Sequence, residues 1–268
     1  MYQSAAHCAG ELKPLLKPLW HVGNSRMLFA GCLGRNALHS HSTSVLLAGL
    51  YDDFELSVGK GRWVTCRTAV IRAGTPYEFD AGGRPLAVIY GEPNVVSAEG
   101  LAVLMRNVDE LPGAVISRHG EVAALRAIYE DPNSATWVAP AIADLVDFSS
   151  ARARRQIDPR VARAIDRVAC RERLESDGED VPSVSTAASQ ARISTSRFQH
   201  VFKAEVGVSY RRYLGWLRMR TAVRDVVDGH NLTTAAHAAG YYDQAHFAHE
   251  FRRIFGAPAS RSLANVRR

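Results

Sequence analysis

The strongest constraint on this chain of 268 residues is a pattern stated twice near its C-terminal end. Residues 183–191 read as a short helix with Val184, Ala187 and Ala188 on one face, followed by a turn at Arg192-Ile193. Ser194 then caps a second helix whose inward face is Phe198, Val201 and Phe202, and Gly207 stops it. Residues 210–227 form one long helix. Tyr213, Leu214, Leu217, Ala222 and Val226 share one of its faces, and Arg211, Arg212, Arg218, Arg220 and Arg224 lie on its other surface. The first pattern then returns. A short Ala-rich helix over 232–239 begins at Thr233 and Thr234, and Gly240 supplies the turn. Asp243 caps a helix carrying Phe247, Phe251, Ile254 and Phe255, and Gly256 and Pro258 end it. A short helix, a tight turn and a second capped helix is the helix-turn-helix pattern, whose second helix enters a major groove.

Charge divides along the same line. Residues 1–150 hold 12 Lys and Arg against 15 Asp and Glu, while residues 151–268 hold 21 against 12. The net charge of +6 therefore comes from a basic C-terminal part behind a mildly acidic one, which points to an anionic partner for the former alone. A composition of 47% hydrophobic and 22% charged residues excludes a disordered chain, and the length suits two domains of about 100–170 residues. No run approaches the ~18 apolar residues of a membrane span. The first 20 residues carry Glu11, Lys13 and two prolines without a clean apolar core, which argues against a signal peptide. Cys8, Cys32, Cys66 and Cys170 are scattered with no C-x-x-C pair, so neither a disulfide framework nor a zinc finger is expected. The expected compartment is the cytoplasm.

Up to about residue 95 the chain is a series of short apolar runs (27–30, 45–50, 54–58, 63–71 and 86–90) separated by turn residues. Phe54, Leu56 and Val58 alternate with Glu55 and Ser57, the period of a half-buried strand. Residues 58–63 read as a hairpin turn and Gly82-Gly83 as another, which together predict a small barrel or sandwich. From residue 97 the period becomes helical, over 97–107, 118–129 and 140–148, and these helices are expected to pack on the barrel or on a second subunit. Asp158-Pro159-Arg160 opens a further helix to about residue 174, ended by the polar stretch 175–180. The expected organisation is a sensor or dimerisation domain over 1–150, a helical linker over 151–182 and a reader over 183–268. The fold class is α+β, a β-barrel with packed helices followed by an all-α domain. No Ser-His-Asp order, phosphate loop or acid pair emerges, and no catalytic residue is assigned; the adjacent Asp52 and Asp53 cannot share one face of a strand.

The stretch STSRFQHVFKAEVG (194–207), Tyr213 with Leu217-Arg218, and AAGYYDQAHFAHEFRRIFGAPAS (238–260) together resemble the AraC/XylS family of bacterial transcription regulators, over roughly residues 183–260. Two details depart from the family pattern. Gly240-Tyr241 stands where Gly-Phe is usual, and Thr234-Ala235-Ala236-His237 lacks the acidic residue often found ahead of the Ala. The resemblance implies a sequence-specific transcription regulator that binds double-stranded DNA, usually as an activator in contact with RNA polymerase, and a homodimer. Helical phase turns Ser196, Gln199 and His200 outward in the first unit and Gln244, His246 and His249 in the second. The family's base-reading positions coincide with these. Arg197, Lys203, Arg252 and Arg253 are the candidates for phosphate. Two such helices held ~34 Å apart by a stiff connecting helix can read successive major grooves.

His39-Ser40-His41 and Thr75-Pro76-Tyr77 resemble, over about residues 20–95, the cupin-type sensing barrel that precedes many such DNA-binding domains. Metal-binding cupins join His-x-His to a nearby Glu and a later His. Here Ser42-Thr43-Ser44-Val45 follow the pair and Tyr77 holds the later position, so no metal and no cofactor are expected. His39, His41, Trp63, Tyr77 and Tyr90 are the candidates to line a pocket for a small-molecule effector. For Trp63 and Tyr90 an ordinary core role stands beside that reading. The alternative function is a metal-dependent cupin enzyme fused to a DNA-binding module.

Overall fold

The computed structural model describes residues 16–153, 157–173 and 182–267. The apolar runs of the first part become an antiparallel sheet in the order β1 (Leu19–Val22), β2 (Arg26–Cys32), β9 (Pro85–Gly91), β4 (Ser44–Gly49), β7 (Thr68–Ile71), β12 (Ala114–Ser117) and β11 (Asp109–Leu111). A second sheet runs β3 (Arg35–His39), β8 (Tyr77–Asp80), β5 (Phe54–Val58) and β6 (Val64–Cys66), and β10 (Met105–Arg106) pairs with β13 (His119–Gly120). The two main sheets face each other without closing into a barrel.

The near-continuous apolar strands have a simple cause. Successive side chains of a strand point to opposite faces, and here both faces are covered. In β9, Leu86, Val88 and Tyr90 enter the core between the sheets, while Ala87 and Ile89 enter a second core on the outer face. That outer core is roofed by α1 (Ala98–Ala102), α2 (Ala123–Glu130) and α3 (Val138–Arg152), so the helices pack on the sheets of their own chain.

Three local readings are corrected. The helix expected over 97–107 is confined to α1, capped by Ser97, because Met105 and Arg106 pair with Gly120 and His119. The same pairing delays the helix expected from 118 until Ala123. Gly82 and Gly83 form a turn, at φ 60° and 79°, but it carries the chain from β8 in one sheet to β9 in the other instead of closing a hairpin.

The helix opened by Pro159 is α4 (Pro159–Arg173), and its carboxylate cap is Asp158, whose Oδ1 accepts from the Arg160 amide at 2.8 Å. Part of the proposed linker, including the polar stretch 175–180, lies outside the described residues, as do the first 15 residues with Cys8. Cys32 and Cys66 are free, and no helix among the described residues is long and apolar enough to cross a membrane.

The C-terminal part is helical throughout: α5 (Val184–Gln190), α6 (Thr195–Val206), α7 (Tyr210–Val227), α8 (Leu232–Ala238), α9 (Gln244–Phe255) and α10 (Ala259–Ser262). It is seated directly on the β domain, and the core between the sheets runs without a break into the core of the helices. Glu92, in the turn after β9, is buried at the junction. Its carboxylate accepts from Tyr213 Oη at 2.6 Å, Trp216 Nε1 at 3.0 Å and Arg220 Nη1 at 2.6 Å. Residues 213, 216 and 220 lie on one stripe of α7 by their spacing of three and four.

Arg220, expected on the exposed surface, is thus 1% exposed. Arg212 and Arg224 also turn toward the β domain, donating to Ser40 O at 2.9 Å and Gly23 O at 3.3 Å, so only Arg211 and Arg218 of the five are exposed. Backbone meets backbone nearby. A Cβ on Gly74 would stand 2.8 Å from Gly207 O, and one on Gly207 would stand 2.7 Å from Ala73 O.

Removing one partner of a buried charge pair strands the other in a dry site. Glu92→Ala is therefore expected to cost about 3–5 kcal/mol in urea unfolding, far more than the loss of an exposed pair such as Arg35–Glu78.

Candidate nucleic-acid interface and the aromatic box

Both reading units are set by their caps. Ser194 Oγ accepts from the Arg197 amide at 3.2 Å, and Gly207 closes α6 in the left-handed region at φ 88°. Asp243 Oδ1 accepts from the His246 amide at 2.7 Å, and Gly256 closes α9 at φ 71°. The short helix α8 is capped by Asn231, two residues ahead of Thr233, with Oδ1 accepting from the Thr234 amide at 2.9 Å. Phe198, Phe202, Phe247 and Phe251 are each 0% exposed, and that fixes the rotation of both helices.

The opposite faces then present all ten candidates to solvent: Ser196, Gln199, His200, Arg197 and Lys203 on α6, and Gln244, His246, His249, Arg252 and Arg253 on α9. They are not equivalent. Thr233 Oγ1 donates to Gln244 Oε1 at 2.9 Å, which orients the Gln244 amide at the tip of α9. Arg253 forms a two-point pair with Glu250, Nε to Oε1 at 3.0 Å and Nη2 to Oε2 at 2.5 Å, and this pair holds the Glu250 carboxyl below its usual range. The Arg253 charge is partly balanced within its own helix, which leaves Arg252 the stronger phosphate candidate on α9.

One exposed group beside α9 escaped the sequence reading: Tyr242, 85% exposed, stands immediately before the cap. Arg218, on the outer surface of α7 as expected, lies over the Tyr241 ring at 4.6 Å. In the Tyr241-Tyr242 pair the first ring is buried and the second projects, a distinction that two identical letters do not carry.

Between the sheets, four of the five pocket candidates come together. The rings of His39 and His41 lie 5.0 Å apart, and both are buried. His41 Nδ1 is 3.1 Å from Tyr77 Oη, and its ring lies 5.1 Å from that of Tyr90, while His39 Nδ1 is 2.7 Å from Ala37 O. The fifth candidate, Trp63, does not join them. It sits on the rim beyond the last β5–β6 pair, Leu56 with Val64, at 38% exposure, with the Arg35 guanidinium over its ring at 5.2 Å.

The walls that the sequence did not reveal are Trp20 and, from the helical domain, Phe255 and Trp216, whose rings lie 5.6 Å and 6.1 Å from His41. The free space left in this aromatic box is about 20 Å³. A wider open cleft of about 610 Å³ lies elsewhere between the two parts, bordered by Arg72, Asn94, Glu99, Pro159 and Glu205. Among the described residues no group of three or more His, Cys, Asp or Glu is placed to share a metal ion.

Residues 187–265 match the family described as a helix-turn-helix domain. No curated protein matches the chain in sequence. Among solved structures, the chain has the fold of ToxT from Vibrio cholerae. The form bound to an unsaturated fatty acid, from strain SCE256, aligns at a TM-score of 0.57 and 10% identity, covering 91% of this chain and 96% of that one. ToxT from strain O395 aligns at 0.54 and 12%, covering 90% and 98%. ToxT bound to (E)-4-(8-methylnaphthalen-1-yl)but-3-enoic acid aligns at 0.51 and 10%, covering 89% and 98%.

The chain thus joins a helix-turn-helix domain to a β domain in the fold shared with ToxT. The reader itself belongs to the AraC-type helix-turn-helix domains.

Burial holds the His39 imidazole down at about 4, and burial with the nearby His39 and Arg212 holds His41 well below its usual value. Both are neutral in the folded chain and gain a proton near 6.5 on unfolding, so stability is complete above that value and is lost as pH falls toward 4. Each histidine is expected to add about 1.4 kcal/mol per pH unit to that slope. Urea midpoints measured from pH 7 to pH 4.5 should flatten accordingly in the His39→Gln, His41→Gln variant.

Proposed function

We propose that this protein is a sequence-specific transcription regulator whose β domain governs two DNA-reading helices through the docking surface around Glu92. The observation that carries the reading is the rotation of α6 and α9. Each buries a phenylalanine pair and turns outward a set of hydrogen-bonding tips flanked by cations. Gln199 and Gln244 have the donor and acceptor needed for an adenine edge, and Ser196, His200, His246 and His249 extend the contact on either side. Arg197, Lys203 and Arg252 set the register on phosphate, with Arg218 a further candidate from α7.

The protein acts as a homodimer and activates by contact with RNA polymerase, as the family resemblance implies, and its scattered cysteines favour the cytoplasm. A small effector modulates it through the β domain. ToxT, which shares the fold, holds an unsaturated fatty acid in one structure and a naphthyl-butenoic acid in another, which supports this reading. The His39–His41 pair is engaged with Ala37 O and Tyr77, which favours a ligand-binding β domain over a metal-centred enzyme.

If about 6 phosphates are neutralised, log affinity for operator DNA should fall against log salt with a slope near −5. Gln244→Ala should cost about 1–3 kcal/mol at one base pair of a selected operator and little on random DNA, whereas Arg252→Ala should weaken both alike. Fluorescence anisotropy on the two DNAs separates these outcomes, and equal losses for Gln244→Ala would remove it from the base-reading set.

A further inference from the structure

The aromatic box of the β domain is already occupied. Phe255, the last residue of the second reading helix, places its ring 5.7 Å from Trp20, 5.6 Å from His41 and 5.8 Å from Tyr90. Its seat is built for close approach. Phe255 O accepts from Asn36 Nδ2 at 2.9 Å, Gly256 O accepts from the Ala37 amide at 3.0 Å, and Ser262 O accepts from Trp20 Nε1 at 2.8 Å. A Cβ on Gly256 would stand 2.5 Å from His39 Nδ1 and 2.6 Å from Ala37 O, so only glycine lets α9 settle there.

The remaining space beside Phe255, about 20 Å³, holds a water molecule and nothing larger. One polar atom facing this box is also unmatched: among the described residues, the fully buried His41 Nε2 has no hydrogen-bond partner. Tyr77 and a neutral His41 bring two hydrogens to the bond they share and use one of them. Whichever tautomer holds, one buried hydrogen is left with nothing to donate to, at a cost that a ligand oxygen would relieve.

We propose that Phe255 is a built-in occupant of the sensor's box, and that the effector is a neutral hydroxylated one-ring aromatic which displaces it and so releases the second reading unit. This rests on the effector-governed reading given above and names its ligand class and its sense, with binding and docking mutually exclusive. A ring replaces a ring among Trp20, Tyr90 and Trp216. A hydroxyl, both donor and acceptor, satisfies the His41–Tyr77 pair in either tautomer. An ionised carboxylate would enter a box whose two imidazoles are uncharged, and is disfavoured.

The probes are phenol, toluene and benzoate, titrated into the full-length protein by calorimetry, with hydrogen exchange of the Ala37 amide and the Trp20 indole followed by NMR. Phenol should speed exchange at both groups in the wild-type chain, because their acceptors belong to the departing reader. Phe255→Ala should bind phenol at least ten-fold more tightly than wild type. Gly256→Ala, which keeps every ring but obstructs the seat, should do the same and serves if the first variant folds poorly. Phenol should be preferred to toluene and benzoate, and His41→Leu should abolish the preference over toluene.

Equal phenol affinity in wild type and in the folded variants overturns the proposal. So does phenol binding that leaves exchange at Ala37 and Trp20 unchanged, or a preference that survives His41→Leu. No DNA enters these measurements, so a failure of operator recognition is read separately.

Discussion

A carboxylate removed from water is the fixed point of this molecule. Glu92 gives up hydration that only strong, well-aimed donors can replace, and all three of its side-chain donors stand on one stripe of α7. The arrangement is unforgiving in a useful way. An apolar contact tolerates sliding, whereas a buried charge with three directed bonds defines both the rotation of α7 and its height above the β domain. Because α7 joins the two helix-turn-helix units, the same contact sets where α6 and α9 stand relative to the β domain.

That geometry makes the docked state a discrete one. Three of the contacts that hold the helical part differ in character: charge at Glu92, backbone packing at Gly74 and Gly207, and an inserted ring at Phe255. Interfaces of this kind repack as units instead of deforming gradually, which suits a two-state control element. The neutral His39 and His41 belong to the same junction, so acid conditions and any occupant of the box bear on one equilibrium.

Sequence carried the helical part further than the β part, for physical reasons. Caps are local: Ser194, Gly207, Asp243 and Gly256 act within a few residues of themselves, and each does what its position implied. The outward set on α6 and α9 follows from phenylalanine spacing alone. Arg220 could not be read, because its burial depends on Glu92, 128 residues earlier in the chain. Helical phase also made Phe255 part of the reader's own core, and only the assembled fold shows its ring among Trp20, His41 and Tyr90. In the β part, alternation located the strands, while the pairing of Met105 with Gly120 shortened two expected helices through contacts that periodicity does not encode. Trp63 was misplaced for a related cause, since strand alternation says nothing of a residue just past the last paired one.

The paired glycines at 74 and 207 carry a consequence for ancestry. Their main chains touch so closely that neither half accommodates a methyl group contributed by the other. A gene fusion that joined this β part to a foreign DNA-binding module would meet that obstacle even if every exposed contact were preserved. The halves look modular in outline, yet they meet at the bare peptide bond, so a recombinant module is expected to seat only when it too brings a glycine to that point.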